Sequence, residues 1–239
     1  MNSQRFLEPL YWVGAQRVAE DFPPLDHALD EPNGLLAIGG DLRCETLLKA
    51  YRRGIFPWYS PGQPILWWSP EPRAVLPPTQ VHVSRSLAKH MAKGGFELCC
   101  DRDFAAVIDA CAAPRDADSG TWITAAMRSA YLALHAAGHA HAIEYRIDGR
   151  LCGGLYGVAI GRVFFGESMF SLERDASKVV LVSLCRWLCA WGYELLDCQI
   201  PSAHLTSLGV RAMPRGEFAH RLSALIDRAP LAHAWRVLD

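Results

Sequence analysis

The stretch GGLYGVAIGRVFFGESMFSLERDASK, residues 153–178, decides how this chain is read. Two glycine-punctuated strand candidates run into the start of a helix. Val163, Phe164 and Phe165 have strong strand character, whereas glycines at 153, 154, 157, 161 and 166 mark turns, bulges or places where something approaches the backbone closely. Glu167 and Ser168 then interrupt the apolar run. A carboxylate buried there needs a partner or a ligand, and the plainer reading is a structural Glu already satisfied by its neighbours. Strict alternation puts Phe164 and Glu167 on opposite faces. One extra residue would bring them to the same side, and the sequence predicts such a bulge at Gly166.

Upstream, HAIEYRI, an Asp148-Gly149 turn and RLCGGLYGV give the strongest hairpin signal in the chain, and Val163 to Met169 adds a third strand. Downstream, Val179, Val182, Leu184, Leu188 and Trp191 recur at helical spacing over 175–191, ending at Gly192. ELLDCQI follows as a strand, then a short turn around His204 and a last helix near 215–228. Earlier in the chain, Ser84, Asp103 and Thr124 are candidate caps for helices reaching Gly94-Gly95, Ala112 and Ala137, with FELCC as a strand between the first two. The predicted fold class is α/β (α+β), a mixed, mostly antiparallel sheet with helices.

Toward the N-terminus, residues 1–30 read as irregular. EPNGLLAIGGDL (31–42) joins a turn signal to a short apolar run, and CETLLKAYRRG reads as a helix stopped by Gly54. IFPWYSPGQPILWWSPEPR, residues 55–73, is too proline-rich for a regular element. Its Trp58, Trp67 and Trp68 suit either a cover over the core or a stacking surface for a base. Prolines at 72, 77 and 78 place a boundary there, giving a small N-terminal domain at 1–75 and a larger one at 76–239.

The net charge is −1, so no whole-protein argument for nucleic acid exists, but two local basic sets do: Lys49, Arg52 and Arg53, and Arg85, Lys89 and Lys93 at four-residue spacing. Solvated helix faces are the plainer reading of both. No apolar run reaches the roughly 20 residues that span a bilayer, and no signal-like segment opens the chain, so a cytoplasmic protein with no membrane partner is expected. Eight cysteines in that setting read as thiols, no CxxC pair or HExxH helix supplies ready metal-ligand spacing, and of the nine scattered histidines the densest group, His135, His139 and His141, offers a metal site only as the less favoured reading. Neither metal nor cofactor is expected.

Within ELLDCQI, period-two alternation puts Asp197 and Gln199 on one face and Leu196, Cys198 and Ile200 on the other. A carboxylate and an amide so placed can form a relay that accepts a proton or hydrogen bond from an amine; the alternative is a surface pair. Cys198 near His204 could form a thiol–base pair, although its apolar face favours an inert buried thiol.

EPNGLLAIGGDL, AYRRGIFPWYSPGQPILWWSPEPRAV, GTWIT, AYLALHAAGHAHAIE, GGLYGV, FFGESMFS, ASK, and LLDCQ with HLTSLG together resemble the leucyl/phenylalanyl-tRNA protein transferases over most of residues 31–209. The resemblance implies a small N-terminal domain packed on one similar to the Gcn5-related acetyltransferases. It also implies transfer of leucine or phenylalanine, with methionine a further candidate donor, from aminoacyl-tRNA to proteins beginning with Arg or Lys, marking them for N-end-rule degradation.

Carried onto this sequence, the resemblance makes Gln199 draw a proton from the attacking α-amine while Asp197 holds Gln199. Leu155, Phe164, Leu181, Leu188 and Leu196 would form the donor side-chain pocket, and Trp58 and Trp122 would lie near the terminal adenosine. Glu167, with Ser168 and Met169 beside it, would meet either the donor ribose or the cationic acceptor residue. The basic helix faces become candidates for the tRNA acceptor stem. Departures from the family pattern at Ala142, Arg146 and Leu188 bear on pocket shape and donor preference. The competing readings are an acetyl-CoA-dependent N-acetyltransferase, disfavoured because SLERDASK lacks the glycines that cradle pyrophosphate, a thiol hydrolase through Cys198, and a non-catalytic tRNA-binding module.

Overall fold

The computed structural model describes residues 11–14, 22–113 and 121–235. In chain order the strands are β1 Tyr11–Val13, β2 Leu35–Gly39, β3 Phe56–Pro57, β4 Leu66–Trp68, β5 Arg73–Leu76, β6 Glu97–Cys100, β7 Ala140–Ile147, β8 Arg150–Ile160, β9 Val163–Ser171, β10 Leu195–Gln199 and β11 Arg211–Met213. The helices are α1 Cys44–Arg52, α2 Arg85–Lys93, α3 Phe104–Ala112, α4 Ala125–Ala136, α5 Ala176–Ala190, α6 Ala203–Thr206 and α7 Arg215–Leu225.

The expected caps form: Ser84, Asp103 and Thr124 each accept a backbone N–H of their helix, from Leu87, Ala106 and Met127. The charged, alanine-rich stretch 113–120 reads as a loop from its sequence, and its residues 114–120 lie outside the described residues. Two N-terminal expectations are corrected. The region before residue 30 contains β1 and a short 3-10 turn at Leu25–His27, and the proline-rich 55–73 segment contains β3, β4 and the start of β5. Proline is tolerated there because the paired stretches are only two to four residues long and the prolines flank them or sit at a strand end.

Strands β1-β2-β4-β3 make a small sheet, and β11-β5-β10-β9-β8-β7-β6 make a large one. All neighbours in the large sheet are antiparallel except β9 and β10. That parallel pair needs a crossover, which α5 supplies. The fold is therefore the mixed α/β arrangement that the strand and helix pattern implied.

Buried side chains form two layers. On one face of the large sheet, α5 packs Val179, Leu181, Val182, Leu184 and Leu188 against Leu155, Phe164 and Leu196. On the other face, Tyr156, Phe165 and Leu195 meet residues of α1, α3, α4 and α7 and Trp67 of the small sheet in one continuous cluster.

The bulge exists. Tyr156 pairs with Ser168 and Gly157 with Gly166, which leaves Glu167 as the extra residue of β9. Its geometric consequence differs from the sequence expectation. Glu167 projects to the Phe165 face, where its carboxylate accepts from Tyr131, and Phe164 stays on the α5 face. The extra residue instead inverts the alternation beyond it, so Met169 packs with the α5 layer and Phe170 with the other. Gly157 opposite the bulge must be glycine, because a Cβ there would run into the Phe165 carbonyl oxygen.

Candidate active site

Open space lies where the ends of β9 and β10 meet the N-terminal half of α5. A cavity of about 820 Å³ has an apolar wall of Leu155, Met169, Leu181 and Leu196 and a polar edge of Glu167, Ser168 and Gln199. A smaller one of about 240 Å³ lies against Phe56, Pro57 and Trp58. Trp122, Glu167, Cys198 and Gln199 line both, so the two cavities meet at those residues. Parting of the parallel strands past their last pair, Asp197 with Phe165, leaves Gln199 and Glu167 at this junction.

Glu167 is held by a chain of hydroxyls. Tyr131 donates to Oε2 at 2.6 Å, and the Tyr51 and Tyr131 hydroxyls lie 2.7 Å apart. Its Oε1 is buried without a hydrogen-bond partner. Burial pushes the Glu167 carboxyl up to about 7, against the two tyrosine hydroxyls and with a smaller upward push from Asp197. Burial and the Glu167 charge likewise raise Tyr131 and Tyr51 well above the ordinary phenol range, which keeps both as neutral donors.

Asp197 is fully buried and engaged. Arg73 donates to both of its oxygens, Nε to Oδ1 at 2.9 Å and Nη2 to Oδ2 at 2.7 Å, with both side chains at 0% exposure. Losing either partner would strand a charge, at a cost of about 3–5 kcal/mol. The link from Asp197 to Gln199 runs to the main chain: the Gln199 N–H donates to Asp197 Oδ1 at 3.0 Å. Register slips between Asp197 and Gln199, Gln199 takes a left-handed φ of 54°, and its side-chain Nε2 is buried with no partner. The sequence expectation had the carboxylate orienting the side-chain amide directly; in the structure it fixes the backbone from which that amide projects.

The predicted site residues divide. Trp58, Trp122, Leu155, Glu167, Ser168, Met169, Leu181, Leu196 and Gln199 line the two cavities. Phe164 and Leu188 do not; each has 0% exposure and lies in the α5 layer behind the apolar wall. The three tryptophans of 55–73 separate as well. Trp58 stands on the rim at 41% exposure, Trp68 props it with a ring-edge contact and an Nε1–H bond to its carbonyl, and Trp67 is core. Ala142 and Arg146 lie outside the cavity lining, and Arg146 pairs with Glu144, so these departures leave the pocket wall untouched.

Arg73, Tyr51 and Tyr131 were missed by sequence reasoning. Arg73 lies 124 residues from its partner, and the tyrosines sit on separate helices, Tyr51 in the last turn of α1 and Tyr131 in the middle of α4, so no local pattern marks them. The faint signal was an arginine opening the apolar run Arg73–Leu76.

The competing chemistries find little support. Cys198 lines both cavities, but burial and then the Asp197 charge push its thiol well above the ordinary range. No hydrogen bond joins it to His204 among the described residues, and burial lowers that imidazole. At the α5 N-terminus the Ser177 N–H donates to Ser171 Oγ and the Ala176 N–H to the Glu173 carbonyl, so these two backbone donors are already used. Among the described residues no three His, Cys, Asp or Glu side chains are grouped to hold a metal. His135 stacks on Phe104 and bonds the Ala140 carbonyl, and His141 stacks on Trp235 and bonds Asp101. No helix of the described residues is long and apolar enough to cross a membrane.

The two basic faces differ. Lys49 pairs with Glu45 at 3.0 Å, Arg52 with Asp227, and Arg53 with the carbonyls of Phe22 and Pro23. Arg85, Lys89 and Lys93 on α2 are exposed and form no ion pair among the described residues.

Comparison with known proteins gives the family. Residues 75–223 match the family model described as leucyl/phenylalanyl-tRNA protein transferase, and residues 40–71 match that of its N-terminal domain. The chain is 58% identical to the leucyl/phenylalanyl-tRNA–protein transferase of Thiobacillus denitrificans over 217 residues, 91% of this chain and 95% of that protein. It is also 58% identical to the protein of that name in Pseudomonas aeruginosa over 221 residues, 92% and 97% of the two chains. Among solved structures, a GCN5-related N-acetyltransferase from Kribbella flavida aligns at TM-score 0.39 and 12% identity, covering 73% of this chain and 62% of that one. L-PGS from Bacillus licheniformis aligns at TM-score 0.39 and 10% identity, covering 70% and 53%. The chain is thus an enzyme of the transferase class. It belongs to the leucyl/phenylalanyl-tRNA protein transferase family.

Proposed function

We propose that this enzyme moves leucine or phenylalanine, with methionine as a further donor, from aminoacyl-tRNA to the α-amine of proteins beginning with Arg or Lys. The reaction takes place in the cytoplasm and marks those proteins for N-end-rule proteolysis. The observation that carries this reading is the junction itself: an apolar wall ends at an unpaired carboxyl oxygen and an unpaired amide N–H, beside exposed Trp58.

The wall of Leu155, Met169, Leu181 and Leu196 suits an unbranched or branched apolar side chain and an aromatic ring alike. One methylene in such a pocket is worth only about 1–3 kcal/mol, so several apolar donors are accepted. Trp58 and Trp122 offer stacking faces for the terminal adenosine. The exposed α2 cations suit the phosphates of the acceptor stem, while the α1 set is taken up internally.

Chemistry at this junction is modest. A free α-amine has a pKa of about 8, so a useful fraction is neutral at working pH. Its nitrogen attacks the ester carbonyl carbon, a C–N bond forms, the ester C–O bond breaks, and the departing ribose oxygen takes up the proton released by the amine. Gln199 accepts the hydrogen bond of the attacking amine, and Asp197 holds the Gln199 main chain. The step needs no covalent enzyme intermediate.

The test is transfer of labelled leucine from charged tRNA to a peptide with N-terminal Arg, beside one with N-terminal Ala and a reaction with acetyl-CoA as donor. Transfer that depends on Arg, falls sharply but stays measurable in Gln199→Ala and persists in Cys198→Ala is expected. Acetyl-CoA serving as the sole donor would put the acetyltransferase reading in its place. In Glu167→Gln, loss of the preference for Arg over Ala assigns Glu167 to the acceptor residue, and a raised KM for charged tRNA with the preference intact assigns it to the donor ribose.

A further inference from the structure

The geometry points to Arg73 as a positioning residue for the transfer, acting through Asp197 on Gln199; this rests on the proposed role of Gln199. Arg73 reaches neither cavity. It is fully enclosed, and its guanidinium centre lies 4.9 Å from the Phe56 ring and 4.6 Å from the Phe218 ring. Two of its nitrogens grip Asp197, and Nη1 has no hydrogen-bond partner.

Three features tie this one side chain to the reacting junction. Asp197 Oδ1, which Arg73 Nε holds, is the same oxygen that accepts the Gln199 N–H. Gln199 needs that anchor, since a left-handed φ is unfavourable for a residue with a Cβ and persists only where its surroundings enforce it. The strand carrying Arg73 also pairs with the distorted end of β10, where Gln199 sits opposite Ala74. Arg73 thus plays on Gln199 the part that an outer hydrogen-bond partner plays on a metal ligand, fixing direction without contacting the substrate.

Its aromatic neighbours widen the link. Phe56 lines the smaller cavity together with Pro57 and Trp58, so the wall proposed to meet the adenosine rests on the guanidinium that orients the reacting amide. Phe218 brings α7 into the same contact. A lysine at this position would keep the charge but lose the fork that holds both carboxylate oxygens at once.

The experiment is single-turnover transfer to the Arg peptide by wild type, Arg73→Lys, Gln199→Ala and the double variant, each first shown by its thermal unfolding to be folded at the assay temperature. Arg73→Met is carried beside them as a second, uncharged replacement. Arg73→Lys should slow transfer at saturating charged tRNA by at least tenfold while changing the KM for that tRNA less than threefold. The double variant should be no slower than Gln199→Ala alone, because a residue that acts through Gln199 has nothing to orient once the amide is gone.

A wild-type rate in Arg73→Lys, or a double variant whose loss is the product of the two single losses, would overturn the proposal while leaving the function intact. A replacement that cannot be folded is judged by the other, and failure of both to fold would assign Arg73 to stability and overturn the positioning role. Absence of transfer by the wild type would instead bring down the functional reading, and this proposal with it.

Discussion

Glu167 and Gln199 face one junction with complementary vacancies: Oε1 of the first is a buried acceptor without a donor, and Nε2 of the second is a buried donor without an acceptor. Orphans of this kind are rare in folded proteins because each forfeits hydration without compensation. Two of opposite type at one place describe a binding partner that carries both an N–H or O–H and a carbonyl or ether oxygen, which an aminoacyl ester and its attacking amine do.

The Glu167 carboxyl gives a pH test of this burial. Its value in the fold is about 7 against an ordinary 4.5, so the folded state binds the extra proton between those values. Stability is then fully present below about 4.5 and falls as pH rises through 7, by an amount on the order of 3 kcal/mol. Glu167→Gln removes that dependence. Urea unfolding at pH 5 and pH 8 should show the variant gaining on the wild type at the higher pH, and an equal difference at both would contradict the burial account.

Gly157 gives a packing test. An alanine Cβ at that position meets the Phe165 carbonyl and the Phe164 ring, both held in the sheet. Gly157→Ala should lower stability by about 2–4 kcal/mol. Gly216→Ala, at an open position in α7 with no atom within 4 Å, is the control and should be neutral or slightly stabilising. Similar denaturation midpoints for the two variants would mean that β8 and β9 can separate at the bulge.

Leu181 and Leu188 lie on one helix but do different things. Leu188 is sealed in the core, so Leu188→Ala should cost about 2–5 kcal/mol and leave the ratio of leucine to phenylalanine transfer unchanged. Leu181 borders the cavity, and Leu181→Ala should shift that ratio toward the larger donor by about tenfold. Competition between the two charged tRNAs measures both, and a ratio that moves with Leu188 instead would relocate the pocket.

Salt dependence distinguishes the two basic helices. Replacing Arg85 and Lys89 with Gln should weaken tRNA binding and lower the slope of log affinity against log salt by about 1–2, one phosphate contact per charge. Replacing Arg52, already paired with Asp227, should leave the slope unchanged. The reverse pattern would place the acceptor stem on α1.

Local signals carried much of this structure. Caps at Ser84, Asp103 and Thr124, the Asp148-Gly149 hairpin and the apolar spacing along α5 each report a contact within a few residues, and all appear. The bulge was legible because a glycine followed by a polar pair broke an apolar run. Which way Glu167 turns was not, since that depends on Tyr131 and Tyr51 on separate helices. Strands in the proline-rich segment were hidden for a related reason: Trp67 and Trp68 pair with Phe56, Pro57 and β2, so partners distant in sequence hold a stretch that propensity alone disfavours. Arg73 was the least visible, because a buried charge is recognised only by its counterion.

Two cavities that meet at Trp122, Glu167, Cys198 and Gln199 amount to two doors on one room. On the proposed reading, a charged tRNA resting against Trp58 and an acceptor protein need not use the same entrance, so neither has to leave before the other arrives. The kinetic order that follows is a ternary complex reached from either side, with double-reciprocal plots that intersect rather than run parallel. The bulge at Glu167 and the left-handed turn at Gln199 stand on either side of that room.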